Sequence, residues 1–258
     1  TAFLNNVGGV DAYGLYNTGM SNTSSGSGIA RSGGGTVGNP YTYAVFDDPN
    51  VPGAEWANRP VNYVSWGDSA RFANWLHNGQ PTGAQNASTT EDGSYYLNGA
   101  TSNAALQAVT RKANATWVMS SEDEWYKGAY HKNDGATGNY FDYPTSSNIA
   151  PSNVLGNPTD PGNNATYYNN GYTIGSPYWR TEVGAHENSD SPYGTFDQGG
   201  NVWEWNEAVL NDPTYVLGRG LRGGSYYVYV YGSADTDLRA SGRFSYPLLD
   251  EDTCVGFR

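Results

Sequence analysis

Two segments of this chain carry hydrophobic residues at helical spacing. Trp66, Ala70, Ala73 and Leu76 fall on one face of a segment running to about His77. Ser65-x-x-Asp68 gives it a start, with the Ser65 hydroxyl capping free amides and Asp68 at the positive end of the dipole. Asn78-Gly79-Gln80-Pro81 stops it. A second helix is predicted from Ser121, paired with Glu124 in a capping box, to about His131. Gly83 to Gly99 reads as a polar, turn-rich insertion, and Thr116-Trp117-Val118-Met119 as a short strand. Residues 1 to about 58 are rich in Gly, Ser and Asn, which predicts a long surface loop whose least core-like part is Ser21 to Gly38. From Lys132 to Arg258 turns alternate with short aromatic strands, and no internal repeat is visible.

Composition sharpens this picture. With 34 Gly and 13 Pro, many backbone positions leave helix or strand geometry, so loops should dominate. Eight Trp and 22 Tyr within 258 residues can still fill a sizeable core, which argues against disorder. A net charge of −12, spread along the chain, repels phosphate backbones and anionic lipid, so nucleic acid is excluded as a partner. No apolar run approaches the ~18 residues of a membrane span, and direct membrane insertion is not expected. Cys254 is the only cysteine, so no intrachain disulfide forms and the fold must rest on packing, with or without a metal. Low Lys with high Gly, Asn, Ser, Thr and Tyr points to an exported protein at the cell surface or outside the cell. The four Asn-x-Ser/Thr sequons, at Asn22, Asn86, Asn114 and Asn164, are what an Asn- and Thr-rich chain gives by chance.

The stretch Tyr193-Gly194-Thr195-Phe196-Asp197-Gln198-Gly199-Gly200-Asn201-Val202-Trp203-Glu204-Trp205 concentrates the candidate chemistry. Two carboxylates separated by a glycine-rich bend are how a loop wraps oxygen ligands around a hard cation such as Ca²⁺. The same stretch resembles the GNVWEW-type signature of the formylglycine-generating-enzyme (sulfatase-modifying factor) family. Four further motifs follow the family's order: Arg59-Pro60-Val61-Asn62-Tyr63-Val64-Ser65-Trp66, Ser121-Glu122-Asp123-Glu124-Trp125, Arg222-Gly223-Gly224-Ser225-Tyr226 and Gly256-Phe257-Arg258. The resemblance implies an α+β, loop-rich variant of the C-type lectin fold with little regular secondary structure. It spans residues 1–258 as a single domain, clipped at both ends relative to a typical member.

Carried over by motif, the family's calcium sites imply two ligand sets. The first is Asp197 and Glu204 with the backbone carbonyls of Gly200 and Val202. The second is Asn153, the Val154 carbonyl, Asn170 and the Tyr172 carbonyl. Here Asn170 stands where the family carries a carboxylate, leaving a neutral and weaker set. The alternative at both loops is Asx turn chemistry without an ion.

The catalytic part of the resemblance fails. Formylglycine-generating enzymes oxidise a substrate cysteine through copper held by two thiolates, whose places fall near Val228 and Ser233. Neither supplies sulfur to Cu(I), and Cys254 is alone, reading best as a small buried hydrophobe. His77, His131 and His186 lie on separate segments and form no metal-binding pair. No nucleophile-elbow, phosphate-binding or dinucleotide fingerprint is present.

Tyr226-Tyr227-Val228-Tyr229-Val230-Tyr231, followed by Asp235, Asp237, Arg239, Arg243, Phe244 and Tyr246, occupies the region where a catalytic relative holds its metal. Clustered tyrosines give a recognition surface large rigid area at low entropic cost. The segment also resembles the variable region of diversity-generating-retroelement target proteins, which display residues between a Gly-Gly-Ser-aromatic motif and a closing Gly-Phe-Arg. Tyr227, Tyr229, Tyr231, Asp235, Arg243 and Tyr246 are thus the candidate ligand residues. The competing reading makes one alternating set the buried side of an ordinary strand. Two classes of function follow. One is a non-catalytic, calcium-stabilised extracellular binding or surface-assembly protein, its partner a protein, a glycan or copies of itself. The other is a copper-dependent formylglycine-generating-type oxidase, or another enzyme of that family, with a rebuilt site.

Overall fold

The computed structural model describes residues 1–46, 56–156, 160–211, 218–227 and 234–258. Helix α2 (Trp66–His77) is its centre, with Ser65 as N-cap and a reciprocal capping box to Asp68, as the sequence predicts. Trp66, Ala70 and Ala73 face a main core with Trp203, Trp205, Leu221, Met119, Leu248 and Cys254. The other side of α2, with Phe72, Trp75 and Leu76, faces a second core. Leu76 therefore leaves the face that periodicity assigned to it, because α2 is covered on both sides.

That second core overturns the predicted surface loop over residues 1–58. Helix α1 (Ala2–Val7) and the antiparallel hairpin of β1 (Ile29–Ser32) with β2 (Thr42–Val45) bring Leu4, Val7, Leu15, Tyr16, Met20, Ile29 and Tyr43 onto α2. The apolar residues are spaced irregularly along the chain and meet only when its turns close, so no period announces them. Gly83 to Gly99 is likewise packed rather than inserted freely. Asn74 on α2 donates to the Thr90 and Tyr95 carbonyls and accepts from the Tyr95 N–H, while Arg71 holds Glu91 in a buried ion pair.

Thr116–Met119 is irregular rather than a strand. Its alternation is real, with Trp117 exposed and Met119 buried, but the Met119 N–H bonds to the Tyr95 hydroxyl instead of a neighbouring strand. Short helix α3 (Asn103–Gln107) packs near the main core through Leu106. Helix α4 (Glu122–Tyr130) carries the predicted Ser121–Glu124 capping box and ends at His131.

A four-stranded sheet closes the main core. Strands β3 (Trp203–Leu210), β4 (Gly218–Arg222), β5 (Phe244–Tyr246) and β6 (Val255–Gly256) lie in the order β5-β4-β3-β6. The β3–β4 and β4–β5 pairs are antiparallel, and β3–β6 is parallel. One-turn helix α5 (Ala234–Asp237) precedes β5. No described helix is long and apolar enough to cross a membrane.

Candidate functional site

The signature loop enters β3 through left-handed residues, Asp197 (φ 56), Gly200 (φ 81) and Asn201 (φ 60). Gly200 is required sterically: a Cβ there would sit 2.1 Å from the Thr166 carbonyl oxygen. The Gly200 N–H donates to the Gly223 carbonyl and the Asn201 N–H to the Thr166 carbonyl. Buried Asn201 accepts from the Thr181 N–H at 3.0 Å and takes the Tyr226 N–H on its carbonyl. One asparagine thus clamps loops 165–167 and 180–181 to the start of the tyrosine-rich segment, a role that its motif position alone does not disclose.

Glu204 is buried on β3, accepting from Trp125 Nε1 at 2.7 Å and from Arg258 Nε at 3.1 and 3.2 Å. The signature carboxylate therefore meets Trp125 of the Ser121–Trp125 motif and the closing Arg258 in one place. Asp197 is half-buried and receives the Gly184 N–H at 3.5 Å. Near it, buried His186 bonds the Thr166 hydroxyl at 2.8 Å, and burial lowers its pKa against the pull of Asp197 and Asp160. Asp160 is held below the usual carboxylate range: burial opposes this, but donors from Ser189, Asn164, Gly162 and Asn188 outweigh it.

Among the candidate ligand residues, Tyr227 is 45 % exposed. It lies close enough to Tyr172 for the two phenols to interact, and Tyr172 is 38 % exposed, its pKa raised by partial burial and then by Tyr227 and Tyr168. Tyr172 packs edge-on against Tyr168 (5.0 Å between ring centroids) and Trp179 (4.5 Å). Trp179 takes a left-handed φ of 57°, a strained state for a large residue. It is held there by buried Arg180, which donates to the Ser25 and Gly26 carbonyls and lies over the Tyr226 ring. Tyr172 with half-buried Tyr168 and Trp179 forms one aromatic face, Tyr227 lies near it, and exposed Asn169 and Asn170 are on the same loop.

The remaining candidates are not gathered onto that face. Asp235 accepts from the Tyr143 hydroxyl and from Arg239. Arg243 is exposed and pairs with Glu122 at 3.4 Å. Tyr246 is half-buried, packing its ring against Trp205 and donating to Asp252. Tyr229 and Tyr231 lie outside the described residues, as do Val228 and Ser233. Tyr168 and Trp179 were not legible as site residues, because they come from a loop some 50 residues before the tyrosine run.

No curated protein matches the sequence. Residues 33–258 match the Sulfatase-modifying factor enzyme 1-like domain. The chain belongs to that family. Its α+β, loop-rich architecture is the family's variant of the C-type lectin fold. Among solved structures it is similar to CarF, at 17 % identity over 80 % of this chain and 68 % of that one, with a TM-score of 0.43. It is also similar to Treponema denticola variable protein 1, at 20 % identity over 80 % and 72 % of the two chains, with a TM-score of 0.44. Both are distant likenesses from which nothing about function follows.

The two loops that the resemblance assigns to calcium differ in how well they suit an ion. At the first, both Glu204 oxygens already face Arg258, so a cation bound there must displace a guanidinium. At the second, the Tyr167, Asn169 and Gly171 carbonyls converge on Asn153 Nδ2 at 3.3, 3.4 and 2.8 Å. Three carbonyls aimed at one point form the oxygen cradle that a hard cation takes, here filled by an amide. Asn153 is thus brought to the loop of Asn170 and Tyr172, but the carbonyls facing it are their neighbours'. Val154 is exposed, and the Asn170 amide donates to the Asn169 side chain. Among the described residues no group of three or more His, Cys, Asp or Glu side chains is placed to hold a metal. Cys254 is fully buried in the main core, its Sγ 3.7 Å from Asp252 Oδ1.

Proposed function

We propose that this chain is a non-catalytic binding module that works outside the cell, recognising a protein, a glycan or another copy of itself. The observation that carries this reading is the aromatic face of Tyr172, Tyr168 and Trp179, with Tyr227 near it. Rigid rings with polar edges are what recognition surfaces use. Asn201, Arg180 and Trp179 fix the loops that carry the rings, so the face costs little further ordering on binding. The sole cysteine, locked in the core, supports the same reading, since thiolate copper chemistry needs two accessible sulfurs.

The test is a protein and glycan array screen, followed by Tyr172→Ala and Tyr227→Ala. Each should weaken the captured ligand more than tenfold; Tyr227→Ala should leave stability within about 0.5 kcal/mol, and Tyr172→Ala, which also loses two ring contacts, should cost about 1–3 kcal/mol without unfolding the protein. Copper-dependent conversion of a cysteine peptide, with no array partner, would favour the oxidase instead.

Calcium enters this proposal as a stabiliser. The donors are Asp197, Glu204 and the Gly200 and Val202 carbonyls at the first loop, and Asn153 with its surrounding carbonyls at the second. An ion binding only the folded state adds about 2.7 kcal/mol at a hundredfold excess over Kd. Calcium should therefore raise the melting temperature, and Glu204→Gln should remove most of the gain if the first loop dominates. A gain kept in Glu204→Gln but lost in Asn153→Ala would move the ion to the second loop. An unchanged melting curve with calcium or chelator would end the proposal for both.

A further inference from the structure

Beneath the N-terminal hairpin lies a cavity of about 260 Å³ that none of Tyr168, Tyr172, Trp179 and Tyr227 lines. Its walls come from α1, β1, the segment before α2 and α2 itself, and most are apolar, among them Leu4, Ile29, Trp56 and Phe72. Exposed Ala57 lines it where it opens to solvent. Of the four polar residues in its lining Thr1 is exposed, and the other three set the chemistry inside. Ser27 is buried, and its Oγ has no hydrogen-bond partner among the described residues. Arg59 already gives its terminal nitrogens to the Arg180 carbonyl and to Glu182, and its Nε has no partner among the described residues. Asp68 is buried and takes the Ser65 N–H and hydroxyl on one oxygen.

A buried hydroxyl without a partner is costly and has to be accounted for by something that enters the space. The occupant must offer Ser27 one neutral polar group, which a hydroxyl supplies as donor and acceptor at once. An anionic head is disfavoured, because Asp68 shares the cavity, Arg59 is neutralised by Glu182 and the whole chain carries −12. An apolar body is demanded by the walls. At ~30 Å³ per water-sized group the space takes roughly nine heavy atoms. We propose that this cavity is a binding site for a neutral, mostly apolar small molecule with a single oxygen head, of the size and kind of a medium-chain alcohol.

Titration calorimetry with the straight-chain 1-alkanols tests this. Each added methylene should tighten binding about fourfold from butanol onward, and the gain should stop near octanol, when the cavity is full. Ala57→Trp changes an exposed residue at the opening, leaves the fold intact and should abolish binding. Ser27→Ala should weaken alkanols about two- to tenfold and leave an alkane of equal length unaffected. Binding that tightens at the same slope through dodecanol, or that survives Ala57→Trp, would mean surface partitioning and overturn the site. No detectable binding of any alkanol would overturn it equally. Tyr172→Ala should leave alkanol binding unchanged, so this proposal stands or falls separately from the aromatic face.

Discussion

Glu91→Ala is expected to destabilise the protein by about 3–5 kcal/mol, the cost of removing one partner of a buried ion pair. Glu91 receives Arg71 Nε at 2.7 Å and Nη2 at 3.2 Å, with both side chains almost wholly buried. The same carboxylate accepts the Gly99 N–H at 2.8 Å and the Thr90 hydroxyl at 3.0 Å, so it ties the segment before α3 to the central helix. Without it Arg71 keeps the Ala100 carbonyl and the face of Tyr13, which do not neutralise its charge. At this chain length the loss corresponds to a fall in melting temperature of roughly 10 °C. Replacing both partners, Arg71→Met with Glu91→Leu, should recover most of it, because the pair is needed to balance charges rather than to attract. A loss below about 1 kcal/mol for Glu91→Ala would show that the pair is solvated.

The second large effect depends on pH. Burial raises the Asp68 carboxyl to about 6, and burial followed by the charge of Asp68 raises Glu251 to about 7. Asp11 adds repulsion to both, while Ser65 and Arg71 pull Asp68 back. The folded state therefore holds protons that the unfolded chain, with carboxyls near 4, has released. Their contribution is fully present below about pH 4 and is lost as pH rises toward 7. At about 1.4 kcal/mol per unit, the Asp68 shift alone is worth on the order of 2–3 kcal/mol. His186 acts with the opposite sign, since its lowered pKa costs stability below about 6.5, so the comparison must be with a variant. Asp68→Asn keeps an oxygen for the Ser65 cap and cannot ionise. Denaturant unfolding from pH 4 to 8 should show the variant gaining on the wild type between about pH 4 and 7 and keeping a constant lead above that. A difference that does not change with pH would mean that Asp68 stays ionised in the fold.

Both predictions concern residues whose importance only the folded chain reveals. The α2 and α4 helices were legible because their information is local: Ser65 with Asp68, and Ser121 with Glu124, satisfy the first amides of their own helices, and the glycine and proline after His77 end α2. The family was legible for a related reason, since loops such as 197–204 need particular residues at particular backbone angles. Gly200 is the clearest case, where no side chain fits beside Thr166. The absence of a second cysteine likewise follows from the sequence alone.

Contacts between distant segments were not legible. The N-terminal region reads as polar loop because its apolar residues have neither period 2 nor period 3.6, yet closure of the β1–β2 hairpin on α2 makes them a core. Glu91 looks like one acid in a polar insertion until Arg71 arrives from 20 residues away. Tyr168, Tyr172 and Trp179 become a face near Tyr227 only after Asn201 and Arg180 have drawn their loops together. The sequence by itself determined the two capped helices, the turn chemistry of the signature loop and the family, because each rests on interactions within a few residues. Tertiary structure alone decided which charges are buried, which aromatics are displayed and where the cavity lies, because those depend on how surfaces far apart in the chain exclude water from one another.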